Sequence, residues 1–276
     1  MQIVVAFAIV GLSAQPVTDI HLALWRVYGT LLGMAALFLA FRLVGPDYAG
    51  RQLVARFAEV VRATLAFLPS PGAVPLARPR VAAVRHQVVA GLPDILRLAD
   101  EARAEGAASG ADSEAAIAAG GRAVRIAYRL AAVSSGRASA PRPPLPDSIR
   151  TALETVETAI REWLEIALSM LEARHTMSRP GSRGYRDACA AAAAVAARPR
   201  PDLSAALGAL LRTVEASRST ALADWPPAAH GSFVAEIEHL RRVVELLPLL
   251  GESLEQMIVP RERSQDTDKL ANRGTG

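Results

Sequence analysis

The chain has a single lysine, Lys269, against thirty arginines, and a single cysteine, Cys189; aromatic residues make up 5% of its 276 positions. Each scarcity excludes something. One cysteine rules out an intramolecular disulfide and any cysteine-rich metal site. Its place in the alanine tract 188–197 reads as that of a buried, inert thiol. The near absence of lysine reads as codon bias in a GC-rich bacterial genome, so the formal net charge of +4 does not stand for thirty selected guanidinium groups. No basic stretch is interleaved with aromatics, and no RNP, helix-turn-helix or zinc-finger spacing is present, so nucleic acid is not an expected partner.

Motifs that carry chemistry are missing too. There is no G-x-S-x-G, no phosphate-binding glycine loop and no H-E-x-x-H. The five histidines stand apart at 21, 86, 175, 230 and 239. His230 and His239 share a helical segment with Glu236 and Glu238, but a spacing of nine does not bring the two rings onto adjacent turns, so no metal site is expected. His86 and His175 read as polar surface or interface residues. The expectation is a chain that is not an enzyme and holds no cofactor. Strand-like alternation is lacking throughout, and no repeat of fixed period occurs. An alanine-, leucine- and valine-rich composition then makes helix the natural state of most segments.

What the chain does have is one long apolar run. From Val27 to Phe41 no residue is charged, and with its shoulders from His21 to Arg42 the segment is long enough to cross about 30 Å of hydrocarbon as a tilted helix. A shorter apolar stretch, Ile3 to Ser13, precedes it and reads as a short or truncated transmembrane helix, as if the chain began partway through a membrane domain. A secretory signal peptide is the competing reading. Against it stand the lack of a basic n-region and a leucine, Leu12, three places before a cleavage after Ala14. The link between the two stretches carries Asp19 and no basic residue, whereas Arg42, Arg51, Arg56 and Arg62 follow the second. Positive-inside asymmetry then puts residues 47–276 in the cytoplasm and the link in the periplasm.

Beyond Pro46 the period is helical and amphipathic. Leu53, Phe57, Val60, Val61, Leu65 and Leu68 make one stripe, and the proline-rich segment from Pro69 to Pro79 makes a boundary. Helices are expected over 81–105, over 113–133 with Asp112 or Ser113 as cap, and over 148–177 with Asp147 as cap. Further helices follow over 185–197, over 203–222 after Asp202, and over 233–258 with a bend at Pro248. Residues 134–146, rich in Ser and Pro, read as a flexible linker. Glu154, Glu157, Arg161, Glu162, Glu165 and Glu172 read as a solvated helix face with pairing along the helix. The fold class expected is all-α: a short transmembrane hairpin over 1–46, a juxtamembrane amphipathic helix and linker over 47–79, a cytoplasmic helical domain over 80–258 and a disordered tail over 259–276.

Within the membrane segment Asp19, His21 and Arg26 are ionisable groups at the edge of an apolar element, where charge costs a few kcal/mol (about 2.5–3.5 at mid-bilayer) unless it snorkels or pairs. Arg26 has two readings, a snorkelling anchor at the periplasmic headgroups or a cationic site on the path of an anionic substrate. Gly29 and Gly33 share a helix face and permit close helix packing.

The stretch Asp19-x-x-x-x-Leu24-x-Arg26-x-x-Gly29-Thr-Leu-Leu-Gly33, ending at Gly45-Pro46, resembles the last transmembrane hairpin of the fusaric acid resistance family, which includes the inner-membrane aromatic acid exporters. A helical cytoplasmic domain follows there as well. The resemblance covers residues 1 to 70. It implies the C-terminal portion of an inner-membrane efflux system that exports aromatic or other organic acids, driven by the proton gradient and working with a periplasmic adaptor. Asp19, Arg26, Gly29 and Gly33 are the positions that match. Family members carry many more spans, so the chain is not expected to transport alone. Its expected partners are the lipid bilayer, other transmembrane helices of the same system or of further copies, the adaptor and an organic anion. The competing class is a membrane-anchored helical scaffold without transport activity.

Overall fold

The computed structural model describes residues 20–44, 49–68, 78–105, 111–139, 143–175 and 182–258. All regular structure among them is helical: α1 (Ile20–Val44), α2 (Ala49–Leu65), α3 (Arg78–Glu105), α4 (Ser113–Ser139), α5 (Asp147–Arg174), α6 (Arg183–Ala196), α7 (Leu203–Ser217) and α8 (Pro227–Ile258). The expected first apolar stretch, Asp19, the proline at 46 and the C-terminal tail lie outside the described residues. The chain divides into two compact units, Met1–Asp47 and Tyr48–Gly276.

In the first unit α1 is a single 25-residue helix. Among the described residues no helix is long and apolar enough to cross a membrane. The side chains described in α1 are Trp25 and residues 27–39. That thirteen-residue window is shorter than the roughly 20 apolar residues a span needs.

The second unit is a bundle whose elements follow from their stripes. In α2, Leu53, Phe57, Val60 and Val61 are buried; in α5, Leu153, Val156, Ile160, Trp163, Leu164, Ala167 and Leu171 are buried. Each such aliphatic side chain removed from water stabilises the bundle by about 1.5–3 kcal/mol. Pairings across the helices give their directions. Ala49 lies against Glu105, and Arg56 against Asp94, so α2 and α3 are antiparallel. Arg122 meets Leu249 and Arg129 meets His239, so α4 and α8 are antiparallel as well. Arg62 meets Glu172 and Arg161 meets Leu68, which sets α5 antiparallel to α2. Helices α6 and α7 pack mainly on α5.

The ends of the helices are received by polar groups from elsewhere in the bundle. The Ala49 N–H at the start of α2 donates to both carboxylate oxygens of Glu105 at 3.1 Å, an anion at a helix N-terminus. At the other end of α2, the Phe67 carbonyl accepts from Ser134 Oγ at 2.9 Å and the Leu68 carbonyl from Arg161. Arg174 Nε donates to the Ile258 carbonyl at the end of α8. Buried carbonyls left by a helix end need such donors.

Several boundaries differ from the periodicity. Residues 134–139 are the last turns of α4 and not a linker. Ser134 is buried on Phe67, and Arg137 is held by two carboxylates, so tertiary bonds outweigh the local Ser/Gly composition. Asp112 caps α4, accepting from the N–H groups of Glu114 and Ala115, and Asp202 caps α7 through Ala205. Asp147 is not a cap. It is the first helical residue of α5 and pairs with Arg150, one turn on. Helix α7 stops at Ser217, earlier than expected, and turns lead to Trp225, whose ring meets Phe233 at 5.7 Å. Helix α8 starts at Pro227, a residue that fits a first helical turn because its missing N–H is not needed there. It runs unbroken through Pro248, as α3 does through Pro93; both prolines sit at exposed positions, where a freed carbonyl can reach water.

Candidate functional site

Helix α1 is the outstanding element. Its large apolar side chains are exposed: Trp25 is 75% exposed, Leu32 76% and Phe38 69%, with Val27, Tyr28, Leu31, Met34, Leu37 and Leu39 exposed as well. Successive residues of a helix step by about 100°, so these nine positions spread over about two thirds of the circumference, and the remaining arc is that of Gly29, Gly33 and Ala36. A helix apolar all round is one that something else covers.

Of the expected site residues, Asp19 lies outside the described residues, and His21 and Arg26 are described as helical backbone of α1 only. In register, Arg26, Gly29 and Gly33 fall within one face, since offsets of three and seven are helix neighbours. A Cβ added at Gly29 or at Gly33 would meet nothing within 4 Å. The two glycines thus lie open along α1.

In the bundle, the charged groups gather where sequence spacing did not place them. Arg137 on α4 pairs with Glu157 on α5 and with Glu236 on α8, its Nε at 2.7 Å from Glu236 Oε1. All three side chains are largely buried, Glu236 at 6% exposure. Burial works against the charged guanidinium, but Glu236 and Glu157 outweigh it and hold its pKa above the ordinary value. Beside this trio, Arg129 Nη1 donates to His239 Nδ1 at 3.1 Å. Burial, and then the Arg129 charge, push the imidazole pKa down, with Glu238 opposing.

The acidic face of α5 is therefore not simply solvated pairs along one helix. Glu157 belongs to the buried trio, Arg161 reaches the end of α2, and Glu172 pairs with Arg62 across helices at 2.7 Å. No local signal in the sequence marks Arg137, because its partners stand 20 and 99 residues away. On the far side of α5, Arg174 lies over the Tyr185 ring at 4.2 Å, and Cys189 is half-buried one turn further along α6. Burial raises the Tyr185 pKa, with the nearby Arg174 charge opposing. His86 and His175 are exposed. Among the described residues no group of three or more His, Cys, Asp or Glu side chains is placed to hold a metal ion.

These buried charges are arranged as ties between helices. Each carboxylate of the trio faces the same guanidinium. Comparison with protein families, with curated proteins and with solved structures finds no match to this chain.

Proposed function

We propose that the chain is the C-terminal, membrane-attached portion of an inner-membrane efflux system of the fusaric acid resistance type, moving aromatic or other organic acids and dependent on further transmembrane helices. The observation that carries this reading is the exposed apolar circumference of α1 together with its two uncovered glycines. Lipid satisfies the apolar faces of such a helix, and Gly29 and Gly33 provide a small-residue face on which a neighbouring helix can seat. The backbone helix of 25 residues rises about 37 Å, enough for the hydrocarbon core with tilt. The basic residues that follow α1 support a cytoplasmic side for residues 47–276.

In this reading Arg26 contributes positive charge to the path of the organic anion, with Asp19 or His21 beside it. A guanidinium holds a carboxylate bidentately and stays charged at any working pH. The test is growth of an exporter-deficient host under an aromatic acid challenge, with the chain co-expressed with its genomic neighbours and membrane levels measured in parallel. Arg26→Lys is expected to weaken protection partially and Arg26→Ala severely, both reaching the membrane. Snorkelling alone would leave Arg26→Lys silent. No protection by the wild-type system would sink the transport reading.

A second reading, a membrane-anchored helical scaffold, is favoured by one observation: the described residues hold one apolar helix, and a single helix cannot enclose an aqueous path. An alkaline phosphatase reporter fused after Leu68 tests the topology common to both readings. Activity there would place the bundle in the periplasm and overturn it.

A further inference from the structure

The surface shared by α3 and α4 is unlike the rest of the bundle. Residues 78–93 and 115–139 contain no Asp or Glu, while both stretches carry arginines. Most arginines of the bundle face a carboxylate or a helix end. On this face Arg85 and Arg125 are exposed, with no carboxylate on either stretch to answer them. Arg85 and His86 on α3 and Tyr128 on α4 line a shallow groove of about 360 Å³ whose apolar wall is Ala82 and Val89. Arg125 stands one turn before Tyr128 on the same helix.

A second observation coincides with the charge. Large apolar side chains exposed on the bundle are few, and three of them, Val89, Leu96 and Tyr128, lie on this pair of helices. Val89 and Leu96 are seven residues apart and so share a face of α3, Leu96 standing just beyond the acid-free stretch and one turn before the exposed Asp100. Exposed aliphatic groups beside unanswered arginines, with a tyrosine whose ring is apolar and whose hydroxyl is wet, make the composition that suits a membrane–water interface.

We infer that the α3–α4 face rests on anionic phospholipid, with the groove between Arg85, His86 and Tyr128 receiving a headgroup phosphodiester. The inference rests on the membrane attachment proposed above, since the bundle is covalently tethered to α1 through residues 45–48. Arginine forks suit phosphate oxygens, the Tyr128 hydroxyl supplies a further donor, and Val89 and Leu96 meet the acyl boundary. The same anion chemistry is offered by soluble phosphate and by nucleic acid. The apolar wall and the exposed aliphatic pair favour the lipid, because neither soluble source covers them.

The test uses the full chain in lipid nanodiscs, in a Cys189→Ser background, with a fluorophore on Ala82→Cys in the groove wall and, separately, on Leu32→Cys in α1. Quenching by headgroup spin labels is compared in neutral discs and in discs with an anionic lipid. Ala82→Cys should be quenched strongly in anionic discs and weakly in neutral ones. At about 1 kcal/mol for each basic residue near an anionic surface, Arg85→Gln with Arg125→Gln should lower the ratio of docked to undocked bundle by roughly thirty-fold. Equal quenching in both lipids, or no change in the double variant, overturns the inference. So does loss of quenching when millimolar inorganic phosphate or a short oligonucleotide is added, which would assign the groove to a soluble anion. Leu32→Cys reports separately. If acyl-chain labels fail to quench it, the membrane attachment of α1 is wrong, whereas quenching there with none at Ala82→Cys leaves the attachment standing and removes the lipid face.

Discussion

A Cβ built on Gly251 of α8 would stand 2.8 Å from Cζ2 of Trp163 on α5, closer than side-chain carbons approach. Trp163 is buried, the Arg200 guanidinium lies 5.2 Å from its ring centre, and Arg200 is itself tied to Glu255. Helices α5 and α8 pack this closely only because position 251 has no side chain. Gly251→Ala should therefore destabilise the bundle by about 1–3 kcal/mol from overpacking, despite alanine's better helix propensity. Gly121→Ala in α4, where an added Cβ meets nothing within 4 Å, should instead stabilise by about 0.5–1 kcal/mol. Urea unfolding of the two variants checks the opposite signs.

The buried trio gives the largest single effect. Arg137→Met removes the guanidinium that Glu157 and Glu236 share in the bundle interior. A loss of about 3–5 kcal/mol is expected, the penalty for breaking a buried pair from one side. Adding Glu157→Gln and Glu236→Gln should recover a good part of it, since the stranded charges are then gone. If the triple variant is no more stable than Arg137→Met, charge is not the cause.

His239 sets a pH dependence with a definite sign. Its Nδ1 accepts from Arg129, which requires the neutral ring, and its pKa in the fold lies below the ordinary value. The unfolded chain therefore takes up a proton first as pH falls. Stability is fully present above the ordinary imidazole pKa of about 6.5 and declines as pH drops through that value toward the lower one in the fold. Unfolding midpoints measured at pH 7.5 and pH 5.5 should differ, and His239→Gln should reduce the difference.

Gly33 tests what covers α1. If a neighbouring helix seats on the Gly29–Gly33 face, Gly33→Leu should block the approach at a cost of about 1–2 kcal/mol for a packed contact. The readout is crosslinking or co-purification of membrane partners. An unchanged yield means the glycines face lipid.

The chain's local signals were legible because they are local. The stripe Leu153, Val156, Ile160, Trp163, Leu164 that marks α5 is a property of 3.6-residue spacing, and its burial follows whichever helix it meets. The caps at Asp112 and Asp202 need only an oxygen two or three residues before a free N–H. The uncharged run from Val27 to Phe41 is likewise written in consecutive residues.

What spacing misled was decided by partners far along the chain. Residues 134–139 have a linker's composition, yet Ser134 finds the end of α2 and Arg137 finds Glu236, and those bonds extend α4. Arg161 and Glu172 read as one helix's own charges until α2 is laid beside them. The sequence by itself determined the helical character of the described residues, the stripes that α2 and α5 bury and the long uncharged run of α1. Only the tertiary structure decided that α5 and α8 meet at a bare glycine, that three charges become one buried tie, and that the acid-free faces of α3 and α4 lie side by side. A helix period is fixed by neighbours three and four residues away, whereas a buried charge or a close crossing depends on which distant helix supplies the other half.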